Sequence, residues 1–393
     1  MPLGKAPAKL NRFTYLYCIE ILGSNMNKFF TFLILIMPAV HSFAQEKALA
    51  NDSISLDAMI GQMILTGIGD FSYMPEDAGI LEDIRTGKVG GVILFEKNIN
   101  AERPKKQLKR TIDMLTEATN IPLFISIDEE GGKVNRLKTK YGFPATMQAG
   151  ELGAINNTDT TALYANNTAS TLSEYGFNVN YAPDVDVAIN PDNPVIAKLG
   201  RSYSSDPRTV ANHAQTVIDV HRKNNVFTVV KHFPGHGSSQ NDSHLGVADV
   251  SNTWQFSELM PYKWLIDSGR VDGIMTAHIV NEHLDPSKLP ATLSPYIISN
   301  ILRGVLGYQG VVFTDDMQMH AISKNYGFEE SIKMAINAGV DVMLFCNNVP
   351  GNERRTPSQI HTIIKNYVTD GEISEARIRE SYNRIMLLKS QLL

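Results

Sequence analysis

The chain has 393 residues, 36 Lys and Arg against 41 Asp and Glu, a net charge of −5 and two cysteines. A mildly acidic sequence without a Lys/Arg block argues against nonspecific nucleic-acid binding, and two cysteines exclude a small disulfide-framework fold. The length is large for a minimal domain but ordinary for a barrel with loop insertions.

In chain order, residues 1–25 carry no recognisable logic and read as a non-native or overlong extension. From Met26 the pattern changes to a basic Lys28, an apolar run over 29–40, and Ser42-Phe43-Ala44 ahead of Gln45. That is the layout of a signal peptide over 26–44, and its apolar run is too short to be a membrane span. The expected product is an exported chain, periplasmic or secreted, consisting of one domain over 45–393. Cys18 falls in the removed part, so Cys346 is the sole expected mature cysteine and no disulfide can form within the monomer.

Eight short apolar runs follow, at 63–66, 89–95, 122–128, 177–183, 227–231, 273–278, 311–315 and 340–345. Most are continuously apolar rather than alternating, as parallel strands covered on both faces require. Helical stretches are predicted between or after them at 106–118, 162–175, 208–224, 296–306, 329–338 and 373–388. Eight strands alternating with helices, several ending in a polar residue, point to a single-domain α/β protein with a closed (β/α)8 barrel of the TIM type. A doubly wound open sheet is the competing architecture.

The densest polar segment is Lys231-His232-Phe233-Pro234-Gly235-His236-Gly237, just after the fifth run, followed by Asp242-Ser243-His244. Polar groups at the end of a buried strand need partners, and a substrate can supply them. Asp315 closes the seventh run, where barrel enzymes place catalytic groups, and the adjacent Asp316 suits a supporting or helix-capping role. Asp128 and His278 close the third and sixth runs. Asp242 stands two residues from His244, close enough to orient its imidazole. A zinc site built from His232, His236 and His244 is the alternative chemistry, but Pro234 and Gly235 break any helical His spacing. Gly67-Ile68-Gly69 lacks the third glycine of a dinucleotide-binding turn. No metal and no cofactor are expected.

The segment 231–237 with Asp242-Ser243-His244 resembles the signature of the family 3 glycoside hydrolases, in particular their single-domain β-N-acetylhexosaminidase branch. The same family's motifs match Asp128-Glu129-Glu130-Gly131-Gly132-Lys133-Val134-Asn135-Arg136-Leu137 and Tyr181-Ala182-Pro183-Asp184-Val185-Asp186. They also match Leu199-Gly200-Arg201-Ser202-Tyr203, Met275-Thr276-Ala277-His278 and Phe313-Thr314-Asp315-Asp316-Met317-Gln318-Met319. The resemblance spans about 55–390. It implies that Asp315 is the nucleophile and that Asp242 and His244 form an acid/base dyad. It further implies that Asp128, Arg201, Lys231 and His232 hold the sugar and places Arg136 close to it, although Arg136 could equally be a structural ion-pair residue; His278, at its strand end, is expected to line the floor of the site. Leu245-Gly246-Val247 departs from the family's leucine-proline after the dyad histidine.

The resemblance implies an exo-acting retaining enzyme that removes terminal β-linked N-acetylglucosamine from peptidoglycan fragments or related oligosaccharides. The expected partner is a small saccharide, with neither nucleic acid nor a stable membrane span involved. A phosphorylase using the same covalent intermediate, a β-glucosidase and a catalytically silent glycan-binding protein are the alternatives.

Overall fold

The computed structural model describes residues 54–241, 246, 248–349 and 353–392. The expected extension at 1–25 and leader at 26–44 lie outside the described residues. No helix among those described is long and apolar enough to cross a membrane.

The strands, in chain order, are β1 Ile64–Gly67, β2 Gly91–Leu94, β3 Phe124–Ile127, β4 Val179–Asn180, β5 Phe227–Phe233, β6 Ala248–Asp249, β7 Gly273–Thr276, β8 Ile279–Val280, β9 Val311–Thr314 and β10 Met343–Phe345. Eight of them form one parallel sheet in the order β10-β1-β2-β3-β4-β5-β7-β9. A parallel bridge between Phe313 and Val342 and the Thr314 N–H donating to the Val342 carbonyl at 3.0 Å draw the two ends together. The result is the expected (β/α)8 barrel of the TIM type, and each predicted run supplies one of its strands. Every residue of these eight strands is buried, which explains why their sequences do not alternate.

Inside the barrel the large rings of Phe124, Tyr181 and Phe313 pack together, with Phe313 centred 6.1 Å from each of the other two. Glycines make room for them. A Cβ on Gly273 would lie 2.7 Å from the Phe313 ring, and one on Gly91 would lie 2.9 Å from the Phe124 Cβ. Such large-against-small layering fills a barrel as a solid core rather than a pore.

Three local features differ from expectation. β4 is only two residues long because the Asn178 side chain takes over the ladder ahead of it, accepting from Ile125 N and donating to Leu123 O, each at 2.8 Å. A second, two-stranded parallel sheet pairs β6 with β8, and no hydrophobic run announces it. The predicted helix at 296–306 is a π-helix, Tyr296–Val305.

The N-terminal floor of the barrel is closed by the last helix, Glu375–Lys389. Its Lys389 Nζ donates to Gln62 Oε1 and to the Gly90 carbonyl, each at 2.7 Å, and lies 4.5 Å from the Phe124 ring centre. Burial pushes this amine down to about 7. An unfolded lysine titrates near ~10.4, so between about pH 7 and 10 the unfolded chain binds more protons and stability should rise with pH. Below pH 7 both states carry the proton and the penalty is constant. Lys389→Met should flatten that rise in denaturant unfolding measured from pH 7 to 9.5. A slope identical to that of the unsubstituted chain would mean that Lys389 does not lose its proton on folding.

Candidate active site

The C-terminal ends of the barrel strands bring two groups of polar side chains to one mouth. The first is built on β3, β4 and β5. Extended backbone directs alternate residues the same way, so Asp128 and Glu130 converge beyond β3 while Glu129 turns outward. Lys231, near the end of β5, donates to Asp128 Oδ1 at 2.8 Å and pairs with Glu130 Oε1 at 2.6 Å. Arg201 grips Glu130 with two parallel bonds, Nε to Oε2 at 2.9 Å and Nη2 to Oε1 at 2.7 Å. That fork geometry suits a guanidinium and fixes its plane. Burial opposes charge on Glu130, but Arg201 and Lys231 outweigh it and hold the carboxyl well below its usual range. Arg136 completes the group, its Nη2 lying 3.6 Å from Asp128 Oδ2.

His232 belongs to the same group. Its Nδ1 lies 2.7 Å from Asp186 Oδ2, and its Nε2 lies 3.3 Å from Arg201 Nη2. Arginine can only donate, so Nε2 accepts and the proton sits on Nδ1, directed at Asp186. Burial and the Arg201 charge push His232 down to about 4, which keeps the ring neutral. Asp186 Oδ1 also accepts from the His236 N–H at 2.7 Å and the His232 N–H at 3.3 Å, tying the β5 loop to the β4 loop. The Lys231–His232 and Phe233–Pro234 peptides are cis.

The second group lies where β7, β9 and β10 end. Asp315 follows β9 directly; its N–H donates to the Thr276 carbonyl at 3.2 Å, and its Oδ1 accepts from Asp316 N at 2.7 Å. Of the two roles expected for Asp316, supporting carboxylate or helix cap, the structure shows the first. Its Oδ1 accepts from Gln318 N and Cys346 N, each at 3.1 Å, so it forms a local turn and ties the β9 loop to the end of β10. The following helix starts only at His320. Burial raises Asp316 to about 6, against the pull of those two amides. His278 is buried, with Nδ1 2.9 Å from Thr292 Oγ1 and Nε2 2.9 Å from the Asp316 carbonyl. Its ring thus braces the Asp315–Asp316 turn from below.

Electrostatics join the two groups. The Asp315 charge acts on His232, and desolvation together with the charges of Asp316, Asp128 and Asp315 raises the thiol of the half-buried Cys346. Of the residues singled out from sequence, Asp128, Arg136, Arg201, Lys231, His232, His278 and Asp315 therefore gather at one barrel mouth. Asp242 and His244 lie outside the described residues.

Glu130, Asp184 and Asp186 were not singled out, although all three stand in quoted motifs. The signal was the spacing: Asp-x-Glu after β3 and Asp-x-Asp after β4 each place two carboxylates on one side of extended chain. Asp184, Asp186 and His232 converge closely enough to hold a metal ion, with donor atoms within 4.8 Å of one another. The Arg201 Nη2, however, stands 3.3 Å from both Asp184 Oδ2 and His232 Nε2. A fixed cation already engages two of the three donor residues, and Asp186 is engaged by His232 Nδ1, so the set fits a guanidinium better than a metal.

This constellation can surround a polyhydroxylated ring with charged donors and acceptors while offering a carboxylate, Asp315, to one carbon of it. Comparison with known proteins agrees. The family described as "Glycosyl hydrolase family 3 N terminal domain" matches residues 55–388. A β-hexosaminidase of Tolumonas auensis is 35% identical over 280 residues, covering 70% of this chain and 80% of that protein. The structure of a family 3 β-N-acetylglucosaminidase from Paenibacillus sp. str. FPU-7 aligns with a TM-score of 0.77 at 35% identity, over 86% of this chain and 63% of that one. That of a β-N-acetylhexosaminidase from Beutenbergia cavernae DSM 12333 aligns with a TM-score of 0.77 at 26% identity, over 86% of this chain and 99% of that one. The chain belongs to glycoside hydrolase family 3, as an enzyme of its β-hexosaminidase branch.

Proposed function

We propose that this enzyme is an exo-acting retaining β-N-acetylhexosaminidase, exported from the cell, which removes terminal β-linked N-acetylglucosamine from peptidoglycan fragments or related oligosaccharides. The observation that carries this reading is Asp315 at the end of β9, anchored through its backbone to β7 and at the same mouth as the Asp128–Lys231–Glu130–Arg201 clamp. The relatives' activity on N-acetylhexosaminides and the leader-like residues 26–44 support the substrate and the export.

In this reading Asp128, Arg136, Arg201, Lys231 and His232 hold the sugar ring. Asp315 attacks the anomeric carbon; that bond forms as the bond to the leaving oxygen breaks, giving a covalent glycosyl-enzyme. His244, oriented by Asp242, gives its proton to the leaving oxygen. The imidazole then takes a proton from water, which attacks the same carbon as its bond to Asp315 breaks, freeing the carboxylate and releasing the sugar with its configuration retained.

The test is hydrolysis of matched aryl β-N-acetylglucosaminide and β-glucoside by the chain from Gln45 onward, each with and without phosphate. Free N-acetylglucosamine as the preferred product supports the proposal. Sugar 1-phosphate would make the enzyme a phosphorylase, and preference for glucoside would overturn the branch-specific substrate.

His244→Ala should slow substrates with a sugar leaving group by about 10²–10⁴-fold, and substrates with an acidic phenol much less, because the phenol leaves without protonation. Equal losses across a leaving-group series would remove His244 from the acid role.

A further inference from the structure

Glu129 is the one acidic residue of the β3 end that faces away from the barrel mouth, and none of the steps above uses it. It is buried at 3% exposure. Its Oε2 accepts from Arg136 N at 2.7 Å and from Leu137 N at 3.0 Å. Between these anchors the chain makes a tight reversal, with the Glu130 and Gly131 N–H groups both donating to the Val134 carbonyl, at 3.0 and 3.1 Å. Gly131 sits at φ +99°, and a Cβ there would lie 2.4 Å from the Met147 carbonyl oxygen, so the reversal is pressed against the following segment. Asn135 Nδ2 holds the far side through Thr146 Oγ1 at 2.9 Å.

The loop 129–137 is therefore closed twice, at its tip through the Val134 carbonyl and at its outer end by the Glu129 carboxyl group. Arg136, whose amide that carboxyl holds, sends its guanidinium back over the strand end to Asp128. Glu129 Oε1 has no hydrogen-bond partner among the described residues and borders small cavities against the helix Thr158–Tyr175. Oε2 thus makes both side-chain bonds to the Arg136 and Leu137 amides, and its removal would release the backbone of Arg136 from the β3 end.

We propose that Glu129 is a positioning residue for saccharide binding: by holding the Arg136 and Leu137 amides it aims the Arg136 guanidinium at Asp128 and so at the sugar. This rests on the saccharide role proposed for Asp128 and Arg136. It acts on binding rather than on bond cleavage, because the loop bears no group assigned to proton transfer or attack.

Kinetics on an aryl β-N-acetylglucosaminide should show Glu129→Ala raising KM by about tenfold or more with kcat within about threefold, and Glu129→Gln, which keeps an acceptor in reach, restoring KM. Combined with Arg136→Ala, Glu129→Ala should add nothing further, since the two act through one guanidinium. Additive losses, or a fall in kcat at constant KM, would overturn the proposal.

If the alanine variant folds poorly, Glu129→Asp against Glu129→Gln decides, because aspartate is one methylene too short for both amides. A KM raised in the aspartate variant alone supports the proposal, and equal values oppose it. Hydrogen exchange at the Arg136 and Leu137 amides, read without ligand, separates this proposal from the substrate assignment. Exchange should speed up in Glu129→Ala and not in Glu129→Gln, and protection kept in the alanine variant sinks the proposal whatever the substrate.

Discussion

Asp315→Ala is expected to lower kcat/KM on an aryl β-N-acetylglucosaminide by at least about 10⁴-fold, the scale on which an enzyme loses its nucleophile. The fold should survive. The Asp315 N–H bond to the Thr276 carbonyl belongs to the backbone and is kept by alanine. Of the side-chain contacts, the bond from Asp316 N is lost, but that turn is still held by Asp316 Oδ1 and by His278 from below. A melting temperature within a few degrees of the parent would confirm that chemistry and not structure was removed.

The same variant gives a sharper test in azide. A small anion entering the space left by the carboxylate attacks the anomeric carbon from that face, and the glycosyl azide formed has the opposite configuration to the substrate. The α-azide should appear with an activated substrate. Residual activity near that of the parent, or azide product of retained configuration, would put the nucleophile elsewhere.

The second large effect is expected at Glu130, a residue that touches no reacting atom in the proposed mechanism. Its carboxylate compensates two buried cations at once, Arg201 through a bidentate pair and Lys231 at 2.6 Å. Glu130→Gln keeps the shape but removes the charge. Removing one partner from a buried ion pair typically costs ~3–5 kcal/mol, because the remaining charge stays desolvated and unpaired.

Asp128 and Asp184 lie within reach of the two cations and should absorb part of that cost by drawing them out of position. Arg201 and Lys231 would then no longer meet the ring at the set distances. A loss of roughly 10²–10³ in kcat/KM, together with a clearly lower unfolding midpoint, is expected in steady-state kinetics and denaturant titration. Glu130→Asp should fall between, since the charge persists but the fork cannot reach both partners. If Glu130→Gln matched the parent in both measurements, the clamp would be held by Asp128 and Asp184 alone.

Much of this enzyme could be read along the chain. The eight apolar runs specify barrel strands because a strand buried on both faces has no solvent-facing alternation, and each such run became one barrel strand. The strand-end residues Asp128, His278 and Asp315 followed from the same reading. A residue that closes an apolar run in a parallel barrel emerges at the mouth whatever the loops do. Family motifs added Arg201, Lys231 and His232, and the structure gathers them at that mouth.

What the tertiary structure alone decided was pairing and facing. Lys231 and Asp128 are 103 positions apart, and Arg201 and Glu130 are 71 apart. Alternation along extended chain tells which residues share a side, but closure of the barrel chooses which carboxylate meets which cation. Asp316 could be read along the chain as either a supporting carboxylate or a helix cap; its amide partners come from its own turn and from the end of β10, which is distant in sequence. His278 closes its strand as expected, yet its ring is committed to Thr292 of the 291–293 turn and to the Asp316 carbonyl beyond β9, partners that only the packing around β7 brings to it. The small sheet of β6 and β8 has two-residue strands, too short for any hydrophobic period to register. Local sequence specifies what each segment can bury, and only the closed barrel sets what its buried polar groups must touch.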